Sequence, residues 1–165
     1  MDEYLDLVDA QDQVIGKKLR SEIQAENLHN FRVINAFIVN SKGELWIPRR
    51  TATKRIFPLA FDMSVGGHVE SGESYDDTFK RETMEELNIN VDQVKYRLLG
   101  KLTPEDGVSS YMQVYEISLD EAPNYNPDDF VEYFWLTPAE VLKRIEEGEK
   151  TKTDLPTLIK KFYNT

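Results

Sequence analysis

Gly67-His-Val-Glu-Ser-Gly-Glu73-Ser-Tyr-Asp-Asp-Thr-Phe-Lys-Arg81-Glu82-Thr-Met-Glu85-Glu86-Leu-Asn88-Ile89 is the stretch whose reading decides the fold. It is expected to open as a glycine-rich loop, because Gly66, Gly67 and Gly72 allow backbone angles closed to other residues. It then turns helical. Ser74 followed three residues on by Asp77 has the spacing of a capping box, with Asp in place of the usual Glu or Gln, and the helix is expected to run to about Leu87. Tyr75, Phe79, Thr83 and Leu87, each four apart, form the stripe that faces a core. Glu82 lies one turn from both Glu85 and Glu86, so three carboxylates share a neighbouring sector. Each like-charged pair at that spacing destabilises a helix by roughly 0.2–0.5 kcal/mol. A bare run of this kind reads as a solvated acidic face; the alternative is a site for a hard divalent cation, which oxygen ligands hold.

Composition narrows the alternatives. At 165 residues the chain is expected to be one domain, 1–165, large enough to bury about 70% of its unfolded surface. A hydrophobic share of 40% beside 30% charged residues is that of a water-soluble globular protein. The chain has no apolar run of about 18 residues, and its start, Met-Asp-Glu-Tyr, lacks the basic region of a signal peptide. The expectation is therefore a cytoplasmic protein with no membrane role. With no cysteine, disulfides, thiolate zinc sites and cysteine nucleophiles are excluded. A net charge of −10 argues against nucleic-acid binding, since no basic surplus exists to displace counterions from phosphates. Local basic clusters can still meet a small anionic substrate.

Outward from the quoted stretch, Phe61 to Val65 reads as a strand delivering the chain into the Gly66 loop. Before it, Val33 to Val39 is nearly continuously apolar, the mark of a strand covered on both faces; Asn40-Ser-Lys-Gly43 is a tight turn and Glu44 to Arg49 the returning strand. Arg49, Arg50, Lys54 and Arg55 put four cations within seven residues, more than a structural role usually needs, and point to phosphate contact. At the amino terminus, residues 4–8 alternate as a short strand, Val14 and Ile15 suggest a second, and residues 21–30 read as a helix or an irregular loop. Lys17, Lys18 and Arg20 fit a solvated patch as well as a substrate-facing one. His29 has no second His at metal-ligand spacing, so a structural role outweighs a ligand role. Beyond the stretch, 94–103 and 110–119 are strands flanking an acidic loop, Pro104-Glu-Asp-Gly-Val-Ser109, and 130–136 is an aromatic-rich last strand. Thr137-Pro138-Ala-Glu140 opens a helix ending near Gly148, and Leu155, Leu158, Ile159 and Phe162 share one face of a terminal helix. The element order fits a mixed sheet sandwiched by helices.

The quoted stretch resembles the signature of the Nudix hydrolase family: Gly, five residues, Glu, seven residues, Arg-Glu, an apolar residue, any residue, Glu-Glu, any residue, Gly, an apolar residue. Gly67, Glu73, Arg81, Glu82, Glu85, Glu86 and Ile89 match at the required spacing. Thr83 stands at an apolar position, and Asn88 stands where the family has Gly; Asn is the best substitute in a left-handed helix C-cap. The resemblance implies an α/β/α sandwich with a mixed β-sheet and a metal-dependent pyrophosphohydrolase of nucleoside diphosphates or their derivatives. By position it implies Glu82, Glu85 and Glu86 as ligands of Mg2+ or Mn2+, joined by the Gly66 carbonyl. It implies an Arg81–Glu73 pair that orients the loop, and Glu85 as the residue that orients or deprotonates water. Family members also draw a base from a later loop, which makes Glu105, Asp106 and Glu132 candidates. Arg49, Arg50, Lys54 and Gly67 are the candidate substrate-binding residues. Family members are often dimers, so a homodimer is one option.

Leu7-Val-Asp9, Val14-Ile-Gly-Lys17, Arg49-Arg50-Thr-Ala-Thr-Lys54, Pro58 and Ser64-Val-Gly-Gly-His68 further resemble the branch shared by isopentenyl diphosphate isomerases and their hydrolase relatives. In the isomerases the residues matching Arg50 and Lys54 hold the diphosphate. The isomerase chemistry does not carry over: its catalytic Cys falls on Gly66, its amino-terminal His ligand near Phe31, and its Glu pair on Val108 and Ser110. Of its metal ligands only His68 matches. An isomerase-like protein and a non-catalytic binding module are the alternatives, though such modules usually lose the carboxylates that this chain keeps. For the leaving group the signals are thin: Pro104 sits roughly where ADP-ribose-cleaving members have a proline. Tyr111, Tyr115, Phe134 and Trp135 could stack on a base, although alternating strand aromatics more often belong to the core.

Overall fold

Alternating burial along the strands decides the layering. The structure is a computed structural model and describes residues 2–163. Among these residues the chain forms β1 (Tyr4–Val8), β2 (Val14–Leu19), α1 (Arg20–Ala25), β3 (Arg32–Val39), β4 (Leu45–Arg50), β5 (Val65–His68), α2 (Tyr75–Leu87), β6 (Lys95–Leu102), β7 (Tyr111–Ser118), β8 (Phe130–Leu136), α3 (Pro138–Glu146) and α4 (Asp154–Phe162). The main sheet runs β6-β7-β3-β4-β8, with β5 also paired to β3; β1 and β2 form a separate hairpin. β3 lies parallel to β7 and antiparallel to β5, so the sheet is mixed. Ile34, Ala36 and Ile38 of β3 face one core with Trp46, Phe79, Leu87 and Tyr115, while Phe37 faces the other with Met112, Val114, Val141, Leu155 and Leu158. Helices therefore cover both faces, α2 on one and α3 with α4 on the other. That is the expected α/β/α sandwich, and it explains why β3 is apolar without alternation.

β3 and β4 stay in register only at Val39 and Leu45, next to the turn. Ser64 then wedges between them: its Oγ accepts from the Ile38 amide at 2.9 Å and donates to the Trp46 carbonyl at 2.6 Å. Prised apart in this way, β3 accepts β5 in the opening. Here the structure corrects the sequence reading. The strand is Val65–His68 rather than 61–65, so Gly66 and Gly67 lie in a paired strand opposite Asn35 and Ile34. Of the three glycines expected to need unusual angles, only Gly72 has positive φ, at 89°. A second correction concerns β2, which extends through Gly16 to Leu19 because it pairs along the whole of β1. No helix among the described residues is long and apolar enough to cross a membrane.

Candidate active site on helix α2

α2 begins where the sequence places it. Ser74 Oγ accepts from the Asp77 amide at 3.0 Å, and Asp77 Oδ2 accepts from the Ser74 amide at 3.1 Å. It ends at Asn88, left-handed with φ 56° and ψ 35°. Asn88 also adds a contact glycine could not make, its Nδ2 donating to the Asn124 carbonyl at 2.6 Å. The four stripe residues Tyr75, Phe79, Thr83 and Leu87 are all buried. Thr83 carries its hydroxyl into that core without a partner, a local cost the family's apolar residue would avoid.

Arg81 is the hub of the loop side. Its Nε and Nη2 donate to the two oxygens of Glu73, each at 2.8 Å, and Nη1 donates to Glu82 at 2.8 Å. The bidentate pair holds the Glu73 carboxyl below its usual range and raises Arg81 further. An anchor the sequence did not reveal is Asp6 in β1, whose oxygens accept from Ser71 Oγ at 2.7 Å and the Gly72 amide at 3.2 Å. The amino-terminal hairpin thus pins the turn that delivers Glu73.

On the other flank, Glu82 and Glu86 press against β5. A Cβ on Gly67 would lie 2.6 Å from Glu82 Oε1, so the glycine is there to admit a carboxylate. Glu86 Oε1 accepts from the Gly66 amide at 3.1 Å. Burial pushes Glu86 well above the ordinary carboxylate pKa, with Glu82 and Asp62 adding repulsion. Burial likewise pushes Glu82 up to about 7, partly opposed by Arg81. Asp62 and Asp129, neither singled out by sequence, complete this negative cluster, since both act on Glu86 and Asp129 also acts on Glu82. Two cations front it: Arg50 Nη1 donates to Asp62 Oδ2 at 2.8 Å, and Lys54 Nζ donates to Asp129 Oδ1 at 2.9 Å.

Such a cluster suits a hard divalent cation. Among the described residues no three His, Cys, Asp or Glu side chains form a group that could by itself hold a metal ion. Mg2+ does not require one: it is bound by one or two carboxylates, keeps several waters and takes its other oxygens from a phosphate substrate. Glu82 and Glu86 are the carboxylates that the fold brings together against β5. Glu85 stands apart, its side chain 57% exposed and 3.4 Å from Arg81 Nη1.

The remaining candidates lie elsewhere. Arg49 points to the opposite face of the sheet, donating to Glu132 at 2.5 Å and to Glu149 at 2.9 Å and 3.2 Å, so neither Arg49 nor Glu132 faces the carboxylates of α2. The cause is strand alternation, which sends Arg49 and Arg50 to different sides. Glu105 and Asp106 are exposed in a 3-10 turn, where Asp106 Oδ2 accepts from the Thr103 amide at 2.9 Å. His29 Nδ1 lies 3.0 Å from the Ser109 carbonyl, as a structural His would. The His68 ring stacks on Phe31 at 5.6 Å; burial, with Arg20 and Lys152 nearby, pushes its pKa down to about 3, so it is neutral at neutral pH. Tyr115 stacks on Phe79 at 4.0 Å in the core, and Phe134 packs under Arg49 and Arg144. A Cβ on Gly66 would meet Asn35 Oδ1 at 2.9 Å, so a larger residue there would require the Asn35 side chain to shift.

Comparison with known proteins was made against this geometry. The NUDIX domain profile matches residues 29–155. An uncharacterized Nudix hydrolase of Nostoc sp. is 56% identical over 162 residues, covering 98% of this chain and 96% of the relative. A crystal structure of a Deinococcus radiodurans protein superposes with a TM-score of 0.92 at 46% identity, covering 98% of this chain and 99% of the other. An isopentenyl-diphosphate Delta-isomerase of Kocuria rhizophila is more distant, 26% identical over 147 residues, with 86% of this chain and 82% of the relative covered.

Proposed function

The chain belongs to the Nudix family and is a hydrolase of phosphorus-containing acid anhydrides, and from that premise we propose that it is a divalent-metal-dependent pyrophosphohydrolase of a nucleoside diphosphate or its derivative. One observation carries the reading. Glu82 and Glu86 are packed against the glycines of β5 beside Asp62 and Asp129, with their pKa values raised, an arrangement costly without a cation.

Glu82 and Glu86 hold Mg2+ or Mn2+ in this reading, with the Gly66 carbonyl as a further ligand. When bound, the metal supplies neutralising charge to the diphosphate and acidity to water. The protein does the rest by positioning. Arg50 and Lys54 draw the diphosphate in, each held in place by its aspartate. A water oxygen forms a bond to one phosphorus, the bridging P–O bond breaks, and the leaving phosphate departs with the bridging oxygen. Glu85, the one carboxylate of the three left to solvent, takes the proton of the attacking water. Arg81 and Glu73 keep the loop and helix aligned.

The test is a hydrolysis screen of nucleotide compounds with Mg2+ or Mn2+, following phosphate after coupled phosphatase treatment. Turnover abolished by chelation and restored by either ion is the expected result. Diphosphate cleavage indifferent to chelation overturns the metal assignment, and no cleavage of any nucleoside diphosphate compound overturns the substrate class.

A further inference from the structure

Beside the cluster stands a cation that the sequence reading passed over. Thr151 bridges Phe61 in parallel, the Phe61 amide donates to the Lys150 carbonyl at 2.8 Å, and the Lys152 amide donates to the Phe61 carbonyl at 3.0 Å. The Leu155 amide then bonds the Lys152 carbonyl at 3.1 Å, so the backbone of Lys152 is fixed on both sides. Its ammonium is not. Lys152 Nζ approaches Asp62 Oδ1 only to 3.6 Å, beyond hydrogen-bonding distance, and makes no hydrogen bond among the described residues.

Asp62 does not need this lysine. Its Oδ2 already accepts from Arg50 at 2.8 Å and its Oδ1 from the Met63 amide at 2.8 Å. Burial, then Arg20, then Lys152 lower the pKa of His68, so the charge of Lys152 is also felt at the end of the β5 strand that carries Gly66 and Gly67. Arg50 and Lys54 each donate a hydrogen bond to one aspartate, whereas Lys152, with its side chain 28% exposed, is ion-paired with Asp62 at 3.6 Å without a hydrogen bond and keeps its donors for another acceptor. A surface ion pair is the plainer reading, but the Asp62 side chain is only 6% exposed and is satisfied by others.

An ammonium in that state is a point-charge phosphate binder. A terminal phosphate carries about −1.5 to −2 charge and three acceptor oxygens. Esterification removes one oxygen charge and replaces one acceptor oxygen with an alkoxy group, so an ammonium placed at that oxygen gains less from the ester than from the free phosphate. Resting on the diphosphate-hydrolase reading above, we propose that Lys152 is a specificity-determining residue that binds the terminal, unesterified phosphate, so that a nucleoside diphosphate is preferred to its sugar ester.

The experiment compares wild type, Lys152→Met and Lys152→Arg on two matched pairs, ADP with ADP-ribose and UDP with UDP-glucose, with orthophosphate as a competitive inhibitor. Lys152→Met is expected to lose about 10–100-fold in kcat/KM on the free diphosphates, the effect of one charge-assisted hydrogen bond, and under about 3-fold on the esters. Orthophosphate inhibition weakens by a similar factor, and Lys152→Arg recovers most of the loss. Equal losses on both members of a pair, no loss on the free diphosphates, or a wild-type preference for the esters overturns the role of Lys152 while leaving the hydrolase reading intact. A wild type that cleaves none of the four overturns the reading beneath it as well. Thermal melts accompany each variant, and Lys152→Gln replaces Lys152→Met in the comparison if the latter melts well below wild type.

Discussion

Arg49 and Arg50 are adjacent in sequence, yet they serve two charge clusters with opposite logic. On the α3 side, Arg49 is spent: Glu132, Glu149 and the Leu59 carbonyl take its donors, and its guanidinium lies over the rings of Phe61 and Phe134. Arg144 closes that network on Glu149 at 3.0 Å, and the Glu149 carboxyl is held below its usual pKa by Arg49. On the α2 side, Arg50 and Lys54 neutralise Asp62 and Asp129, while Glu86 has no cationic partner at all among the described residues. One cluster is complete within the protein and stabilises it. The other holds like charges that cost stability, a cost that the proposed cation would offset.

The largest break in this comparison is expected from Glu86→Gln. Gln keeps the size of the residue and an acceptor for the Gly66 amide, so the metal-free protein melts at or above the wild-type temperature. Hydrolysis falls by about 10²–10³, or roughly 3–4 kcal/mol of barrier. Melts with and without Mg2+ beside kcat measurements test both halves; wild-type turnover removes Glu86 from the site, and a collapsed metal-free melt makes its role structural.

Next in size is the contrast between the two arginines. Arg50→Ala and, with it, Lys54→Ala should raise KM on the best substrate and cut kcat/KM by about 10–100-fold, with the Mg2+ concentration for half activation changed much less. Arg49→Ala should leave kcat/KM near wild type and instead cost roughly 1–3 kcal/mol in denaturant unfolding, because it strands a partly buried Glu149. If Arg49→Ala behaves as an activity mutant, the division of the two faces fails.

The subtlest separation is in pH. The metal-free protein should lose stability as pH rises from about 4.5 through 7, the range in which Glu82 ionises in the unfolded chain but not in the folded one. In Glu82→Gln that decline should shrink by roughly 1–3 kcal/mol. Glu149, with its folded pKa depressed, contributes stability that is present above its unfolded value and is lost as pH falls through the folded one. Glu149→Gln should therefore flatten the acid limb below pH 4.5 and leave the rise toward neutrality untouched. Urea titrations across pH 3–8 read both limbs, and matching slopes in the two variants would contradict the comparison.

Local signals carried far. The capped helix from Ser74 to Asn88, its buried stripe and the Arg81–Glu73 pair depend on residues eight or fewer apart, or on a spacing of four, and such short-range geometry is readable without a fold. The doubly covered strand around Ile34–Ile38 is equally direct, because two buried faces leave no polar alternation. The site is different where it depends on partners distant in sequence. Gly66 and Gly67 were legible as necessary, but the reason, room for Asn35 and the Glu82 carboxylate, appears only when β5 pairs with β3 and packs against α2. Asp62, Asp129 and Lys152 give no periodic or motif signal, and they meet because residues 150–152 join Phe61 and the loop before β8 bonds the backbones of Glu86 and Thr51. The sequence by itself determined the helix, its carboxylates and the class of cation they suit. Only the tertiary structure decided which charges remain unpaired, since pairing depends on which face a strand turns to its neighbours, and a shift of one residue, as between Arg49 and Arg50, reverses it.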